Sequence, residues 1–287
     1  MDGIPRLDAD ATRTGLGPLI GTGRTAEVFA WGDGQVLKLY RAGMPAQWVA
    51  EEARVGRIVV DAGLAAPAIG DTVELDGRLG VIYERLDGPS MLDYMASHPA
   101  EIPALGRQFA ELHVQMHACY RPELSSQREG FVGAIEVVPQ LPAELKQAVL
   151  HRLEQLPDGL ALCHGDYHPG NLVMTSHGPI VIDWMSACRG NPVADVARTT
   201  LMFRMARVPE YYSAETQRAV ELARRSFYET YLSAYLTRRP FPVEEIEAWI
   251  PVLAAARLCE GIVEEEAELL KLVEMQCRVS SRSKRVS

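Results

Sequence analysis

Paired cysteine motifs are absent from this sequence of 287 residues. Its cysteines number five, an odd count, and no two of them form a C-x-x-C pair. Disulfide frameworks use cysteines in pairs, and structural zinc sites usually present closely spaced ones. The sequence therefore argues against both, and we expect reduced thiols in a cytoplasmic protein.

Long hydrophobic runs are missing as well. No apolar stretch approaches the ~20 residues that a membrane helix needs. Residues 1–14 alternate charged and small side chains without a continuous apolar region, which is not typical of a signal peptide. The sequence predicts no membrane partner.

An excess of positive charge is also lacking, since the formal net charge is −9 and the pI is near 5.4. A broad nucleic-acid interface requires a basic face, so we expect no nucleic-acid partner. Basic residues cluster only at the C-terminal end, among serines. That composition predicts a short disordered tail at about residues 278–287.

Hydrophobic residues make up 47% of the chain, enough for a sizeable core. The N-terminal part alternates short extended runs with turn signals such as Gly32-Asp-Gly34, and one helical pattern covers Ala46–Ala62. The predicted strands are residues 19–20, 27–31, 35–40, 71–74 and 80–84.

The pattern changes at Asp87-Gly88-Pro89. A helix with one buried face is predicted at Ile102–Ala118, and short strands at residues 160–163, 172–174 and 180–182. Nearly everything beyond Asp195 has a helical pattern. The sequence predicts an α+β fold with a β-rich N-lobe (residues 1–86) and a mostly helical C-lobe (residues 87–287).

The strongest chemical signal is the segment Cys163-His-Gly-Asp-Tyr-His-Pro-Gly-Asn171, followed twelve residues later by Asp183. Phosphoryl transfer from ATP needs a carboxylate beside the attacking hydroxyl and oxygen ligands for the magnesium that bridges the phosphates. Asp166 suits the first role, and Asn171 with Asp183 suits the second. Each residue alone would be explained as a turn or strand-end residue, but their combined spacing favours the functional interpretation.

This pattern resembles the catalytic loop and metal-binding segment of the aminoglycoside phosphotransferase and choline kinase family. The resemblance runs from about Gly21 to Ala197 and implies a two-lobed protein-kinase-like fold with ATP between the lobes. It implies that Asp166 is the catalytic base and that Asn171 and Asp183 bind Mg2+. His164 and Asp195 match positions that brace the loop in this family, so they are expected to be structural supports.

The N-lobe supplies the remaining nucleotide-binding candidates. Gly21-Thr-Gly23 resembles the phosphate-covering loop of kinases, although Ala26 replaces the third glycine. Lys38 lies in the middle of an apolar strand. In isolation it would be an edge-strand lysine facing water, but beside the catalytic loop we interpret it as a ligand of the α- and β-phosphates.

Such a lysine usually has a carboxylate partner, and two adjacent candidates, Glu51 and Glu52, compete for that role. On a helical wheel Glu52 lies nearer the face defined by Trp48, Val55 and Val59, so it is our choice. By the same resemblance, the connector from Glu84 to Leu86 is expected to contact the adenine through its backbone.

Acceptor residues are harder to identify from the sequence. Glu260, Glu264 and Glu268 have the spacing of one helical face, and in antibiotic kinases acidic groups line the pocket for cationic substrates. A solvated helix face is the alternative. Glu260 and Glu264 are our acceptor candidates. His113 and His117 are expected to pack in the core or an interface.

The sequence thus predicts an ATP- and Mg2+-dependent phosphotransferase that acts on a hydroxyl group of a small molecule. The net acidity is compatible with a cationic acceptor, but macrolide, choline and homoserine types remain open, as does the oligomeric state. A protein kinase is disfavoured because only eleven residues separate Asp183 from Asp195. A catalytically silent nucleotide-binding scaffold is the alternative from a different class.

Overall fold

A computed structural model describes residues 16–23 and 25–283, with side chains described as far as residue 275. The segment 1–14, considered above for a signal peptide, lies outside the described residues. The described chain forms two compact units, the first made of residues 16–94 and 170–185 and the second of residues 95–169 and 186–283.

The first unit is built on a five-stranded antiparallel sheet in the order β1-β2-β3-β5-β4. The two glycines of the Gly32-Asp-Gly34 turn, which joins β2 to β3, have positive φ angles of 49° and 70°. The strands are β1 (Leu16–Thr22), β2 (Ala26–Trp31), β3 (Gln35–Tyr40), β4 (Ile69–Leu75) and β5 (Arg78–Glu84).

One helix, α1 (Ala46–Asp61), contacts this sheet and confirms the predicted helical pattern. Its buried side includes Val49, Ala53 and Val59. The prediction that Trp48 marks the buried face is wrong, because 53% of its surface is exposed. Trp48 lies in the first turn of the helix, and the buried residues of that helix begin at Val49.

A hairpin of β7 (Leu172–Thr175) and β8 (Gly178–Val181) also belongs to the first unit. Two backbone hydrogen bonds attach it there, from Val181 N–H to the Ala65 carbonyl at 2.8 Å and from Met174 N–H to the Pro89 carbonyl at 2.9 Å. Asp183, two residues beyond β8, is thereby placed in the same unit as Lys38.

The second unit is mostly helical, with one two-stranded sheet of β6 (Ala161–Cys163) and β9 (Cys188–Gly190). Its helices are α3 (Ile102–His117), α4 (Gln127–Val137), α5 (Ala143–Gln155), α6 (Pro192–Met205), α7 (Ala214–Arg238), α8 (Glu244–Arg257) and α9 (Val263–Ser283), and α2 (Met91–Ser97) crosses the boundary between the units. Helices α3 and α7 pack through buried aromatic rings, as where Phe109 meets Tyr231 edge-on with centroids 5.0 Å apart.

Helix α9 corrects the predicted disordered tail. It continues to Ser283 and so includes residues 278–283, while residues 284–287 lie outside the described part of the chain. Residues 278–283 contain neither proline nor glycine, so nothing in their backbone preferences stops the helix. Within the described residues, no helix is both long enough and apolar enough to cross a membrane.

Candidate active site

The loop that carries Asp166 follows β6 and depends on a glycine. Gly165 has a φ of +76°, a conformation that side chains other than glycine rarely adopt. A Cβ atom at this position would lie 2.6 Å from the Ser186 carbonyl oxygen. The loop therefore approaches the backbone of residue 186 too closely for any other residue.

Replacing Gly165 by alanine is expected to destabilise the protein by about 1–3 kcal/mol, because it adds backbone strain to a steric clash. The matched control is Gly133→Ala, at an exposed position within α4 where the new Cβ meets no atom within 4 Å. That control should be neutral or stabilising by up to about 1 kcal/mol. Chemical denaturation of both variants measures the difference. Equal stability changes would contradict the proposed close approach at Gly165.

Asp195, at the start of α6, holds the backbone of this loop. Its carboxylate accepts hydrogen bonds from the N–H of His164 at 2.7 Å and of Gly165 at 2.9 Å. It also contacts the Nε2 atoms of His113 and His117 at 3.1 and 3.2 Å. Burial opposes its ionisation, but the hydrogen bonds from the two histidines outweigh it and hold the pKa of Asp195 well below its usual range. The structure thus places His164 and Asp195 together, as a bracing role requires.

His113 and His117 are fully buried, as expected for packing residues. Burial lowers the pKa of His113 to about 3, so its ring is neutral. Ligand atoms of these two histidines and Asp195 lie within 4.8 Å of one another, which could suggest a metal site. However, the two Nδ1 atoms bond the hydroxyls of Tyr231 and Tyr235 and the Nε2 atoms bond Asp195, so every ring nitrogen already has a protein partner. The cluster is a hydrogen-bonded core network.

Asp166 itself is one-third exposed, at 33% of its side-chain surface. Its carboxylate lies 3.6 Å from His168 Nε2 and 3.9 Å from Arg198 Nη2. Burial raises the pKa of Asp166, but the hydrogen bond and charge of His168, with the charges of Arg198 and His164, outweigh burial and lower it to about 2. Asp166 is therefore ionised at neutral pH and able to accept a hydrogen bond from a hydroxyl group.

Arg198 was not identified from the sequence. It lies one helical turn after Asp195 on α6, its Nε donates to the Gly165 carbonyl at 2.9 Å, and its Nη2 contacts Glu260 at 2.5 Å. The signal that could have found it is its spacing, because residues three apart on a helix share a face. Once Asp195 was recognised as a support of the loop, Arg198 was the next side chain able to reach it.

The expected common face of Glu260, Glu264 and Glu268 is wrong. Glu260 lies in a 3-10 turn, Leu258–Glu260, and Gly261 with a φ of +66° ends that turn before α9 begins. Glu264 is therefore on a different helical segment and is exposed. Glu260 is instead paired with Arg198 and Arg257, so its carboxylate is already neutralised by two guanidinium groups.

The first unit brings together Lys38, Glu52 and Asp183. The Lys38 ammonium lies 2.7 Å from Glu52 Oε1 and 3.1 Å from Asp183 Oδ1. Burial lowers the pKa of Lys38, but the charges of Glu52 and Asp183 and their hydrogen bonds outweigh it and raise the pKa above its usual value. Lys38 therefore carries a fixed positive charge between two carboxylates.

The partner of Lys38 is Glu52, as chosen from the sequence, and not Glu51. Glu52 is 3% exposed and also accepts hydrogen bonds from the hydroxyls of Tyr40 and Tyr83. Burial is the main cause of the raised pKa of both tyrosines, with the Glu52 carboxylate second, so both remain protonated donors. Glu51 is exposed and pairs with Arg54.

Asp183 and Asn171 are held near each other by the backbone. The N–H of Ile182 donates to the Asn171 carbonyl at 2.9 Å, and Asp183 has a φ of +62°, a strained conformation for a residue with a side chain. Such strain is characteristic of functional positions, where surrounding contacts maintain it. A carboxylate and a side-chain amide are oxygen donors that suit Mg2+, so the residues present fit this ion.

The other nucleotide-binding candidates lie in β1 and β5 or within two residues of the ends of these strands. Gly21 is in β1 opposite Val28, and Gly23 closes the turn to β2 by donating from its N–H to the Ala26 carbonyl at 2.8 Å. Glu84 ends β5, and its side chain accepts a hydrogen bond from Ala68 N–H at 3.0 Å. Leu86 follows in the connector and is partly buried.

Comparison with known proteins gives one family. The sequence model described as the phosphotransferase enzyme family matches residues 18–240, more than half of the chain. Among curated proteins, no sequence matches this chain.

Similar solved structures include a ternary complex of APH(2")-IIa with streptomycin and ATP, with 16% identity, a TM-score of 0.60, and coverage of 93% of this chain and 97% of that one. A choline/ethanolamine kinase family protein from Mesorhizobium loti has 16% identity and a TM-score of 0.53, covering 92% and 87%. A macrolide 2'-phosphotransferase from Brachybacterium faecium has 18% identity and a TM-score of 0.53, covering 92% and 95%. At these identities the likeness shows the fold alone, and it confirms the predicted protein-kinase-like α+β fold.

Proposed function

The chain belongs to the phosphotransferase enzyme family, and we propose that it transfers the γ-phosphoryl group of ATP to a hydroxyl group of a small molecule. The observation that carries this proposal is the position of Lys38 between the buried Glu52 and the more exposed Asp183. A lysine fixed in this way suits the binding of nucleotide phosphates. The solved relative that contains ATP supports ATP as the phosphoryl donor.

Charge neutralisation is the proposed task of the first unit. Lys38 contacts the α- and β-phosphates, and Gly21 and Gly23 let the backbone approach them. Asn171 and Asp183 are the residues that would hold Mg2+, which neutralises charge on the phosphates when it is bound. Asp183 thus has two interactions, since its Oδ1 atom also orients the Lys38 ammonium. The connector of Glu84 and Leu86 is assigned to the adenine.

Asp166 is proposed to act on the acceptor. Its ionised carboxylate accepts a hydrogen bond from the attacking hydroxyl and orients that oxygen toward the γ-phosphorus. It takes up the proton as the new P–O bond forms and the bond from the γ-phosphorus to the bridging oxygen breaks, so that ADP leaves. The low pKa of Asp166 keeps its carboxylate ionised for both tasks, which are to orient the hydroxyl and to receive its proton. This division suits phosphoryl transfer, in which catalysis consists mostly of positioning and electrostatic stabilisation.

The acceptor is proposed to be a small hydroxylated compound, with antibiotics and metabolites both included. The similar solved structures support this range of acceptors, because they include a streptomycin complex, a choline/ethanolamine kinase family protein and a macrolide phosphotransferase. Glu260, our candidate for binding a cationic acceptor, already has two arginine partners. The carboxylate of Glu260 therefore gives little support for a cationic acceptor. Of the two acceptor candidates, Glu260 and Glu264, only Glu264 is exposed.

Replacing Glu52 by glutamine is expected to lower kcat/KM for ATP by about 10- to 100-fold, because Lys38 loses the negative charge of its buried partner and is held less firmly. The control is Glu51→Gln, which changes the adjacent exposed residue and its ion pair with Arg54. Steady-state kinetics with varied ATP make the comparison. Equal effects of the two substitutions would contradict the assignment of Glu52 as the partner of Lys38.

The proposal is tested by two measurements, each made with and without Mg2+. Calorimetry measures ATP binding, and a turnover assay measures the rate at which ATP is consumed. The enzyme should bind ATP more tightly with Mg2+ and should hydrolyse it slowly even without an acceptor, since water can replace the hydroxyl. Binding that is independent of Mg2+, without any turnover, would favour the silent scaffold. Absence of nucleotide binding would refute the proposed function altogether.

A further inference from the structure

We propose that Arg198 is a positioning residue for phosphoryl transfer, which fixes the loop bearing Asp166 and is itself oriented by Glu260. This inference rests on the proposed function and deepens it, because it adds a residue that acts through Asp166. The residues that carry it all lie in the second unit.

Arg198 connects several groups in and around the loop that bears Asp166. Its Nε donates to the carbonyl of Gly165 at 2.9 Å, while its Nη2 lies 2.5 Å from Glu260 Oε1 and 3.9 Å from Asp166 Oδ1. One planar guanidinium group therefore contacts the backbone immediately before Asp166 and lies near the Asp166 carboxylate. Only 14% of the Arg198 side chain is exposed, so solvent competes little for these contacts.

Helix α6 holds the backbone of Gly165 through two side chains. Asp195 accepts a hydrogen bond from the Gly165 N–H, and Arg198, one helical turn later, donates to the Gly165 carbonyl. The N–H and the carbonyl of this glycine are thus both bound by side chains from one helix. In the peptide that leads to Asp166, the N–H donates to His164 Nδ1 at 3.2 Å, and Arg198 binds the carbonyl.

Glu260, the partner of Arg198, is itself firmly held. Its Oε1 atom bonds Arg198, and its Oε2 atom lies 3.2 Å from Arg257 Nη1. Arg257 is 8% exposed and forms two further bonds to Glu265, at 2.5 and 2.9 Å. Each oxygen of Glu260 therefore has its own arginine. Glu260 is thereby an anchor for Arg198, which gives this carboxylate a role other than the acceptor binding predicted from the sequence.

Lysine cannot reproduce the arrangement. The bond to Gly165 comes from the Nε atom and the bond to Glu260 from the Nη2 atom, so two separate donors of one rigid guanidinium group bind two different acceptors. A lysine has a single ammonium group at the end of a flexible chain. Arg198→Lys keeps the positive charge but can make at most one of the two contacts well. This variant therefore distinguishes the effect of the positive charge from the effect of holding the loop in place.

Arg198→Ala tests the proposal, with Arg204→Ala as the matched control. Arg204 lies on the same helix and forms an ion pair with Glu247 of α8, but 39% of its side chain is exposed, against 14% for Arg198. We expect kcat to fall about 100-fold in Arg198→Ala, because small displacements of a reacting group have effects of this size. The KM for ATP should stay unchanged, since Lys38 and Asp183 are intact. Arg204→Ala should retain wild-type kcat.

Two further variants keep the test decisive if Arg198→Ala folds poorly. Arg198→Lys and Glu260→Gln should both show intermediate kcat at unchanged KM for ATP, with thermal unfolding close to that of Arg204→Ala. Wild-type kcat in both variants would overturn the proposal. The proposal would also be overturned if kcat fell in proportion to thermal stability, and to the same degree in the Arg198 and Arg204 variants. The role of Arg198 would then be purely structural.

Hydrogen–deuterium exchange gives a readout that does not depend on activity. Amides of residues 164–168 should exchange faster in Arg198→Ala and Glu260→Gln than in the wild type or in Arg204→Ala. Unchanged exchange would refute the positioning role whatever the kinetics show. If exchange rises in the Arg198 variant while the wild-type protein transfers no phosphoryl group, the proposed function fails and the loop-fixing contact stands.

Discussion

Replacing Asp166 by alanine is expected to lower kcat by about 1,000- to 10,000-fold, at the upper end of the effects seen when a general base is removed. The structure gives the physical reason. Asp166 is ionised, partly exposed and carried by a loop whose backbone is bound by Asp195 and Arg198. Without its carboxylate, the acceptor hydroxyl has neither a hydrogen-bond acceptor to orient it nor a group to take its proton.

Asp166→Asn sharpens this test because it keeps the shape of the side chain. The amide oxygen can still accept a hydrogen bond but cannot take up a proton, so kcat should remain well below that of the wild type. ATP affinity, measured by calorimetry, should be unchanged in both variants. The control is Asp158→Ala, an exposed aspartate of the same unit that pairs with Arg128. Wild-type kcat in Asp166→Asn would contradict the assigned role.

Replacing Asp183 by asparagine is expected to lower kcat by about 100- to 1,000-fold, as removal of a strong electrostatic contact to the transferring group does. The substitution removes a carboxylate ligand of Mg2+ and one of the two carboxylates beside Lys38. The Mg2+ dependence of the rate distinguishes the loss of a metal ligand from an effect on Lys38 alone. The Mg2+ concentration needed for half-maximal rate should rise, because an amide oxygen is a weaker ligand than a carboxylate.

The control for Asp183→Asn is Asp87→Asn, which changes an exposed carboxylate of the same unit whose ion-pair partner is Arg85. Its rate and Mg2+ dependence should match those of the wild type. A reduced kcat in Asp183→Asn at an unchanged Mg2+ requirement would show that Asp183 acts through Lys38 alone, and it would contradict the metal-binding assignment.

Local patterns in the sequence predicted most of the fold. The strands around the Gly32-Asp-Gly34 turn were placed correctly because alternation and turn glycines are local signals. The strand Gln35–Tyr40 has the predicted bounds, and the helix that starts at Ala46 ends one residue early. Glu52 was also chosen correctly, although Trp48, used to define the buried face, is exposed. The other apolar residues of that helix were sufficient to orient it.

The sequence failed where long-range contacts decide the outcome. Arg198 and Glu260 are 62 residues apart, and no periodicity links them. Arginine on a helix is usually solvent-exposed, so only its spacing from Asp195 links Arg198 to the Asp166 loop in the sequence. The acidic run at Glu260 and Glu264 was read as one helical face because the charge spacing fits, but the positive φ of Gly261 interrupts the helix between them. Glycine permits such a break without requiring it.

The most direct test of the central claim is transfer of labelled phosphate from γ-labelled ATP to aminoglycosides, macrolides, choline and small hydroxylated metabolites in the presence of Mg2+. We predict that the wild-type protein converts at least one acceptor to its phosphate ester, that Arg204→Ala does the same, and that Asp166→Ala forms no detectable product. Equal product from Asp166→Ala would contradict the assigned chemistry. Tight Mg2+-dependent ATP binding without labelled product from any of these acceptors would contradict the proposed acceptor range.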